Sequence, residues 1–290
     1  MSNQCNCYYN KSKDFLCRQL VNEASVSIEK GASQKINAIW IEAAGCSGNI
    51  ISYLDADEPD ILYAINNIIS LKYENSIMAS QGEEAFENIL KTLNTEFILI
   101  VEGAVSTGEN GLFNIVASYK GKDITGKELI QMISPKAKYV IAMGTCASYG
   151  GISAAFPNPS SCISVHDFIK REVINLPGCP CHPDWLSGTL ASIVLWGRPE
   201  LDSEGRPIMF YGSTIHDNCP RRSYFDKGIY AKKLGDKECM FKLGCRGPVT
   251  RTDCPIRRWN DRLNWPIGDN TPCIGCAHSG FPDKMEPFIR

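Results

Sequence analysis

Four short apolar runs constrain this chain more than any other feature. They read "INAIWIE" (36–42), "FILIVEG" (97–103), "KYVIAMG" (138–144) and "EVINLPG" (172–178). Each is close to continuously apolar, the pattern of a strand buried on both faces. Between them lie "GEEAFENILKTL", "TGKELIQMI" and "SVHDFIKREV", which read as helices. Strand alternating with helix predicts an α/β fold, a doubly wound parallel sheet covered on both sides, over residues 36–195. In open parallel sheets, ligands bind beyond the carboxyl ends of the strands. Cys46 follows the first run, Glu102 and Gly103 close the second, Cys146 follows the third, and Cys179 follows the fourth. A single cysteine in such a place is commonly a small apolar filler. Three at equivalent strand ends predict one shared site.

Composition narrows the chemistry. The chain holds 290 residues, 43% of them hydrophobic and 21% charged, with a net charge of −2. That describes a globular protein with a real core and gives no reason to expect nucleic acid as a partner. No apolar run reaches the roughly 20 residues of a membrane helix. The first residues carry no apolar signal core and no paired arginines, and the chain ends "FPDKMEPFIR" without an apolar anchor. The expected location is cytoplasmic, with peripheral docking to a membrane allowed. Residues 1–35 are polar and read as an irregular extension bearing Cys5, Cys7 and Cys17.

In a reducing compartment, fourteen cysteines point to metal or cluster ligation rather than disulfides. Beyond residue 196 the periodic runs give out and Arg, Trp, Pro and turn residues take over. The order there is His216, Cys219, Cys239, Cys245, Cys254, Cys273, Cys276, opening on "HDNC" and closing on "CIGC". So irregular a segment needs cross-links that bound metal centres could supply. A zinc site built from "HDNC" and "CIGC" satisfies the one-histidine, three-cysteine rule. It leaves Cys239, Cys245 and Cys254 without a purpose. Iron–sulfur clusters use scattered thiolates and accept histidine, and six cysteines with one histidine match a four-ligand and a three-ligand cluster.

The motifs "WIEAAGCSGN", "VEGAV", "GTCASYGG", "PGCPCHPDW", "HDNCPR", "LGCRGPVTRTDCP" and "NWPIGDNTPCIGC", in this order, resemble the small, electron-transfer subunit of [NiFe] hydrogenases over residues 36–280. A subunit of respiratory complex I shares the first part and lacks the cysteine-rich second. The resemblance implies a flavodoxin-like domain (36–195) holding a proximal cluster, then an irregular cluster domain (196–290) holding a medial and a distal one. It assigns Cys46, Cys146 and Cys179 to the proximal cluster. His216, Cys219, Cys239 and Cys245 fall to a distal [4Fe-4S] cluster. Cys254, Cys273 and Cys276 fall to a medial [3Fe-4S] cluster, with Pro266 where a fourth cysteine would stand. Asn49 replaces the second cysteine of the usual proximal CxxC, as in uptake-type members. The proximal centre is then [3Fe-4S], or [4Fe-4S] with a non-cysteine ligand such as Asn49 or water. Gly48 and Gly151 stand where oxygen-tolerant members carry two extra cysteines.

The same resemblance implies a [NiFe] large subunit as partner, a redox protein or quinone-linked acceptor, and a dimer of heterodimers. H2 ⇌ 2 H⁺ + 2 e⁻ would occur on the partner, so no residue of this chain is expected to act as a catalytic acid or base. Glu42 and Glu102 border the proximal site and read as proton carriers or holds on the large subunit, or else as helix caps or ordinary interface polars. His166, His182 and His278 are not expected to be ligands, Cys181 is expected to be a nearby unligated thiol, and Cys162 to be packing. A regulatory, H2-sensing small subunit is the alternative within the family. A zinc-stabilised interaction protein is the alternative outside it.

Overall fold

The computed structural model describes residues 15–260 and 262–289. Its centre is a five-stranded parallel sheet: β1 (Ile36–Glu42), β2 (Ile69–Tyr73), β3 (Phe97–Glu102), β4 (Tyr139–Met143) and β5 (Ile174–Leu176), in the spatial order β2-β1-β3-β4-β5. That is the flavodoxin-like order, in which the chain reverses direction across the sheet beside β1. The four apolar runs form β1, β3, β4 and β5. The strand missing from the sequence reading is β2, "ISLKY", an edge strand whose half-buried, polar-interrupted pattern lacks the apolar run of a central strand.

Alternation along each strand fills two cores. Ala38, Trp40, Ile98, Ile100, Ile141, Met143, Ile174 and Leu176 point to one face. There they meet α1 (Leu16–Glu29), α2 (Gly48–Leu54), α3 (Ile61–Asn67) and the C-terminal helix of the domain, Pro183–Trp196. Ile39, Ile41, Phe97, Leu99, Val101, Val140 and Ala142 point to the other, against α4 (Gly82–Thr92) and α5 (Gly126–Ile133). The α5 start is a full capping box: Thr125 Oγ1 accepts from Glu128 N, and Glu128 accepts from Thr125 N. After α5 come α6 (Gly144–Tyr149), α7 (Val165–Ile169) and α8 (Pro183–Trp196). The helix expected over 164–173 is only the short α7, ended by Lys170 in the left-handed region.

The polar N-terminal extension needs correction. From Leu16 to Glu29 it is a helix, α1, laid along α8. Its buried apolar residues are Leu16, Cys17, Leu20, Val21 and Ala24, a helical stripe that the polar composition of the whole 35-residue stretch conceals. Cys17 is fully buried in that packing. Cys5 and Cys7 lie outside the described residues. Residues beyond 196 are as irregular as expected: short helical turns at Ile208–Tyr211, Arg222–Asp226 and Cys254–Arg257 among loops. Trp265, Ile267, Cys254, Cys273 and Met240 join the same apolar core as α1 and α8, so this segment shares the core of the sheet domain. No described helix is long and apolar enough to cross a membrane.

A buried ionic knot closes that junction. Arg257 has no exposed surface; it donates to both oxygens of Asp253 and to Asp184 Oδ2 at 2.6 Å. Trp185 Nε1 donates to Asp253 Oδ1 at 2.8 Å, and the guanidinium lies 5.1 Å from the Phe210 ring. Fully buried ions persist only when every partner is present, so the knot fixes the turn carrying Cys254 against the start of α8.

Candidate cluster-binding sites

The strand register explains how distant cysteines meet. Glu42 of β1 pairs with Glu102 of β3, Glu102 with Met143 of β4, and Met143 with Leu176 of β5. These strands therefore end in one line. Cys46, Cys146 and Cys179 follow within three or four residues and emerge along the same edge of the sheet. The Cys179 thiol is pushed up to about 12, by burial first and then by Cys276, Cys146 and Cys46. Cys276, Cys146 and Cys46 thus lie near enough to act on Cys179, whose thiol resists ionising alone. A bound iron–sulfur core would reverse that balance, because coordination holds the thiolate form. Gly48 belongs to this cradle: a Cβ there would lie 3.0 Å from Cys46 Sγ.

Asn49 is committed elsewhere. Its Oδ1 accepts from Cys181 N at 2.7 Å, and its Nδ2 donates to Glu102 Oε1 at 3.2 Å and Met143 O at 3.4 Å. Each partner agrees with that orientation of the carboxamide, donor facing acceptor throughout. Gly144, at φ +86°, opens the room: a Cβ there would sit 2.6 Å from both Asn49 side-chain polar atoms. Glu102 accepts the backbone N–H groups of Asn49 at 2.8 Å and Ile50 at 3.1 Å, so it caps the first turn of α2. Burial pushes its carboxyl up, and these donors offset part of the rise. Glu102 thus serves as a helix cap, one of the roles expected of it. Glu42 accepts from the hydroxyls of Ser47 and Ser76. Burial pushes Glu42 up, but those hydroxyls and the neighbouring Glu74 bring it below the usual range. Glu74, fully buried, is pushed up to about 7 by burial and by Glu42. Its Oε1 is buried with no hydrogen-bond partner.

His216, Cys219, Cys239 and Cys245 line one small cleft together with Arg221, Gly247 and Ile267. His216 Nε2 is buried without a hydrogen-bond partner, the state of a nitrogen free to meet a metal. Burial, then Arg222, hold its imidazole below the ordinary value, and the neutral ring is the ligating form. Its ring stands edge-on to Phe225 at 4.5 Å, which fixes its direction. Cys245 Sγ accepts from Gly247 N at 3.4 Å.

Cys254, Cys273 and Cys276 line a second, larger cavity of about 1060 Å³, together with Cys179, Gly48 and Pro266. Pro266 is thus on the wall with the three cysteines whose missing fourth it is expected to replace. The Cys254 thiol is pushed up to about 12 by burial and Cys276, and accepts from Thr252 Oγ1 at 3.1 Å. This division overturns the zinc pairing. "HDNC" lines the small cleft and "CIGC" the large cavity, so the two pairs do not make one four-ligand site.

The remaining candidates are accounted for by packing and hydrogen bonds. Cys181 is fully buried, with its thiol pushed up by burial and Glu102. His182 caps α8, its Nδ1 accepting from Asp184 N at 3.1 Å and its Nε2 paired with Arg258 O at 2.7 Å. Burial pushes that imidazole down to about 4. His278 Nδ1 accepts from Gly280 N at 2.9 Å, His166 is at the surface beside Asp167, and Cys162 is core. Two features escaped the sequence: the Glu42–Glu74 pair and Thr145. Glu42 lies in "WIEAAGCSGN" and Thr145 in "GTCASYGG", but their partnerships are made by segments that meet only in the fold.

The chain is similar in sequence and fold to known proteins. Residues 211–289 match the family model for the C-terminal part of the NiFe/NiFeSe hydrogenase small subunit, and residues 46–193 match "NADH ubiquinone oxidoreductase, 20 Kd subunit". The chain is 38% identical to the periplasmic [NiFeSe] hydrogenase small subunit of Desulfomicrobium baculatum, covering 93% of this chain and 92% of that one. It is 39% identical to periplasmic [NiFe] hydrogenase small subunit 1 of Nitratidesulfovibrio vulgaris, covering 89% and 83%. A solved structure of the H2-activated D. baculatum [NiFeSe] hydrogenase superposes with a TM-score of 0.83 at 40% identity, covering 89% of this chain and 99% of that one.

Proposed function

Because the chain belongs to the family of NiFe/NiFeSe hydrogenase small subunits, we propose that its ten candidate ligands hold three iron–sulfur clusters between a hydrogen-oxidising partner and an electron acceptor. The chain is the electron-relay subunit of an oxidoreductase whose catalytic metal site lies in the large subunit. Bound clusters would accept and release electrons one at a time, which no side chain present here does.

The observation that carries the ligand assignment is the common edge formed by the ends of β1, β4 and β5, where Cys46, Cys146 and Cys179 emerge together. We take residues 36–195 to hold that proximal group and residues 196–290 to hold the medial group (Cys254, Cys273, Cys276) and the distal one (His216, Cys219, Cys239, Cys245). The committed carboxamide of Asn49 favours a proximal [3Fe-4S] centre, or a four-iron centre with a solvent ligand, over ligation by Asn49 itself. Pro266 beside three cysteines supports a medial [3Fe-4S] centre, and three cysteines with one histidine a distal [4Fe-4S] centre.

Cys46 and Cys179 are exposed in the isolated chain, and so are Ile51, Leu54, Ile152 and Phe156 on the segments that follow Cys46 and Cys146. Apolar side chains around an open site are what a large subunit would cover. The acceptor, whether a redox protein or a quinone-linked partner, would meet the distal end. A dimer of such heterodimers stays a proposal of the family resemblance. The two relatives above are named periplasmic, which gives the expected cytoplasmic location no support. A sensing role gains no specific observation.

Anaerobic co-purification with the large subunit tests the whole reading. The expected result is H2-dependent dye reduction with iron and sulfide bound to this chain. Stoichiometric zinc without iron, or an intact complex inert to H2, would overturn it.

A further inference from the structure

One hydroxyl lies where three candidate ligand segments meet. Thr145 precedes Cys146 and is almost completely buried. Its N–H donates to Gly178 O at 2.9 Å, and its Oγ1 accepts from Gly178 N at 2.9 Å. These two bonds clamp the residue that precedes Cys179. The same hydroxyl spends its one proton on the carbonyl oxygen of Cys276. A threonine hydroxyl has one donor and two acceptor sites, so the donor is fully used. Thr145 thereby ties both β4- and β5-borne cysteines of the proximal group to a cysteine of the medial group.

The medial and distal groups are joined by main chain instead: Arg246 N, next to Cys245, donates to Cys273 O at 2.7 Å. The proximal–medial junction therefore depends on a side chain where the medial–distal junction does not.

We propose that Thr145 is a positioning residue that sets the separation of the proximal and medial clusters, by holding Gly178 and the Cys276 peptide on one hydroxyl. The role rests on the ligand assignment above. Electron transfer between two centres falls off steeply with their separation, so a small relaxation here slows the relay without removing a ligand.

The test compares wild type, Thr145→Val and Thr145→Ser, each as the anaerobic complex with its large subunit. Valine keeps the volume and removes the hydroxyl; serine keeps the hydroxyl. In Thr145→Val, iron and sulfide per chain stay at the wild-type level. H2-driven dye reduction falls severalfold, because the relay step between the two centres lengthens. The magnetic interaction between proximal and medial centres in EPR weakens, and Thr145→Ser restores both. Wild-type coupling and rate in Thr145→Val would overturn the proposal. So would loss of iron in that variant, which would make Thr145 a residue of site assembly, or a serine variant as defective as valine. A wild-type complex lacking the proximal and medial signals would instead overturn the ligand assignment itself.

Discussion

Asn49 shows how much a single residue can settle. By sequence it is a missing cysteine, and its oxygen is a candidate for the empty corner of a cluster. In the fold, that oxygen receives the Cys181 N–H while the amide nitrogen serves Glu102 and Met143 O. Asn49 therefore joins the turn after β1 to the end of β4 and the segment after β5, a tie that a cysteine cannot reproduce. Asn49→Cys should add a thiol ligand and convert a three-iron proximal centre to four irons. Iron analysis should rise by one atom per chain, and the EPR signal of an oxidised three-iron proximal centre should vanish. Unchanged iron would mean that another group already fills the corner. His216 teaches a parallel lesson. Its candidacy came from "HDNC", but the bare, buried Nε2 is what fits it to iron.

At the scale of elements, α1 is the correction with the widest consequence. The stripe Leu16, Leu20, Ala24 with Cys17 and Val21 was present in the sequence, yet average polarity over 35 residues hid it. Leu20 is 1% exposed, so Leu20→Ala should cost about 3 kcal/mol through lost burial and the cavity left behind. A thermal melt of the anaerobic complex would measure it, and a change below about 0.5 kcal/mol would mean that α1 does not stay on α8. The turn after β2 carries the second element-scale prediction. Glu74 holds its proton more tightly folded than unfolded, at about 7 against the ordinary glutamate value. The native state thus binds more protons than the unfolded state between those two values, and stability falls as pH rises through that window. Glu74→Gln, which keeps an acceptor for Ser76 N and Ile77 N and can donate to Glu42, should flatten the loss between pH 5 and pH 8. Denaturant titrations at the two pH values would show it; parallel slopes in wild type and variant would refute the raised Glu74 carboxyl.

For the whole molecule, the three groups of candidate ligands occupy three places, which the proposed relay joins in sequence. The proximal group opens at the sheet edge, the medial group shares a cavity with Cys179, and the distal group lines its own cleft. Damage at the far end should then spare chemistry at the near end. Cys219→Ala should slow H2-driven reduction of an acceptor by a larger factor than it slows hydrogen–deuterium exchange, which needs no distal relay. Equal loss of both would mean that the substitution disrupts assembly.

The sequence by itself determined the parallel sheet, four of its five strands, and the three cysteines at their ends, because apolar runs and position at a strand end are local properties written in consecutive residues. It also carried the candidate ligand types and their order along the chain. Only the tertiary structure decided that "HDNC" and "CIGC" line different cavities. It alone committed the Asn49 amide, paired Glu74 with Glu42, and placed the Thr145 hydroxyl against Cys276. Those outcomes depend on strand register and on loops that meet more than 30 residues apart. Spacing along the chain specifies neither, because a single hydrogen bond made across the fold leaves no periodic trace in the sequence.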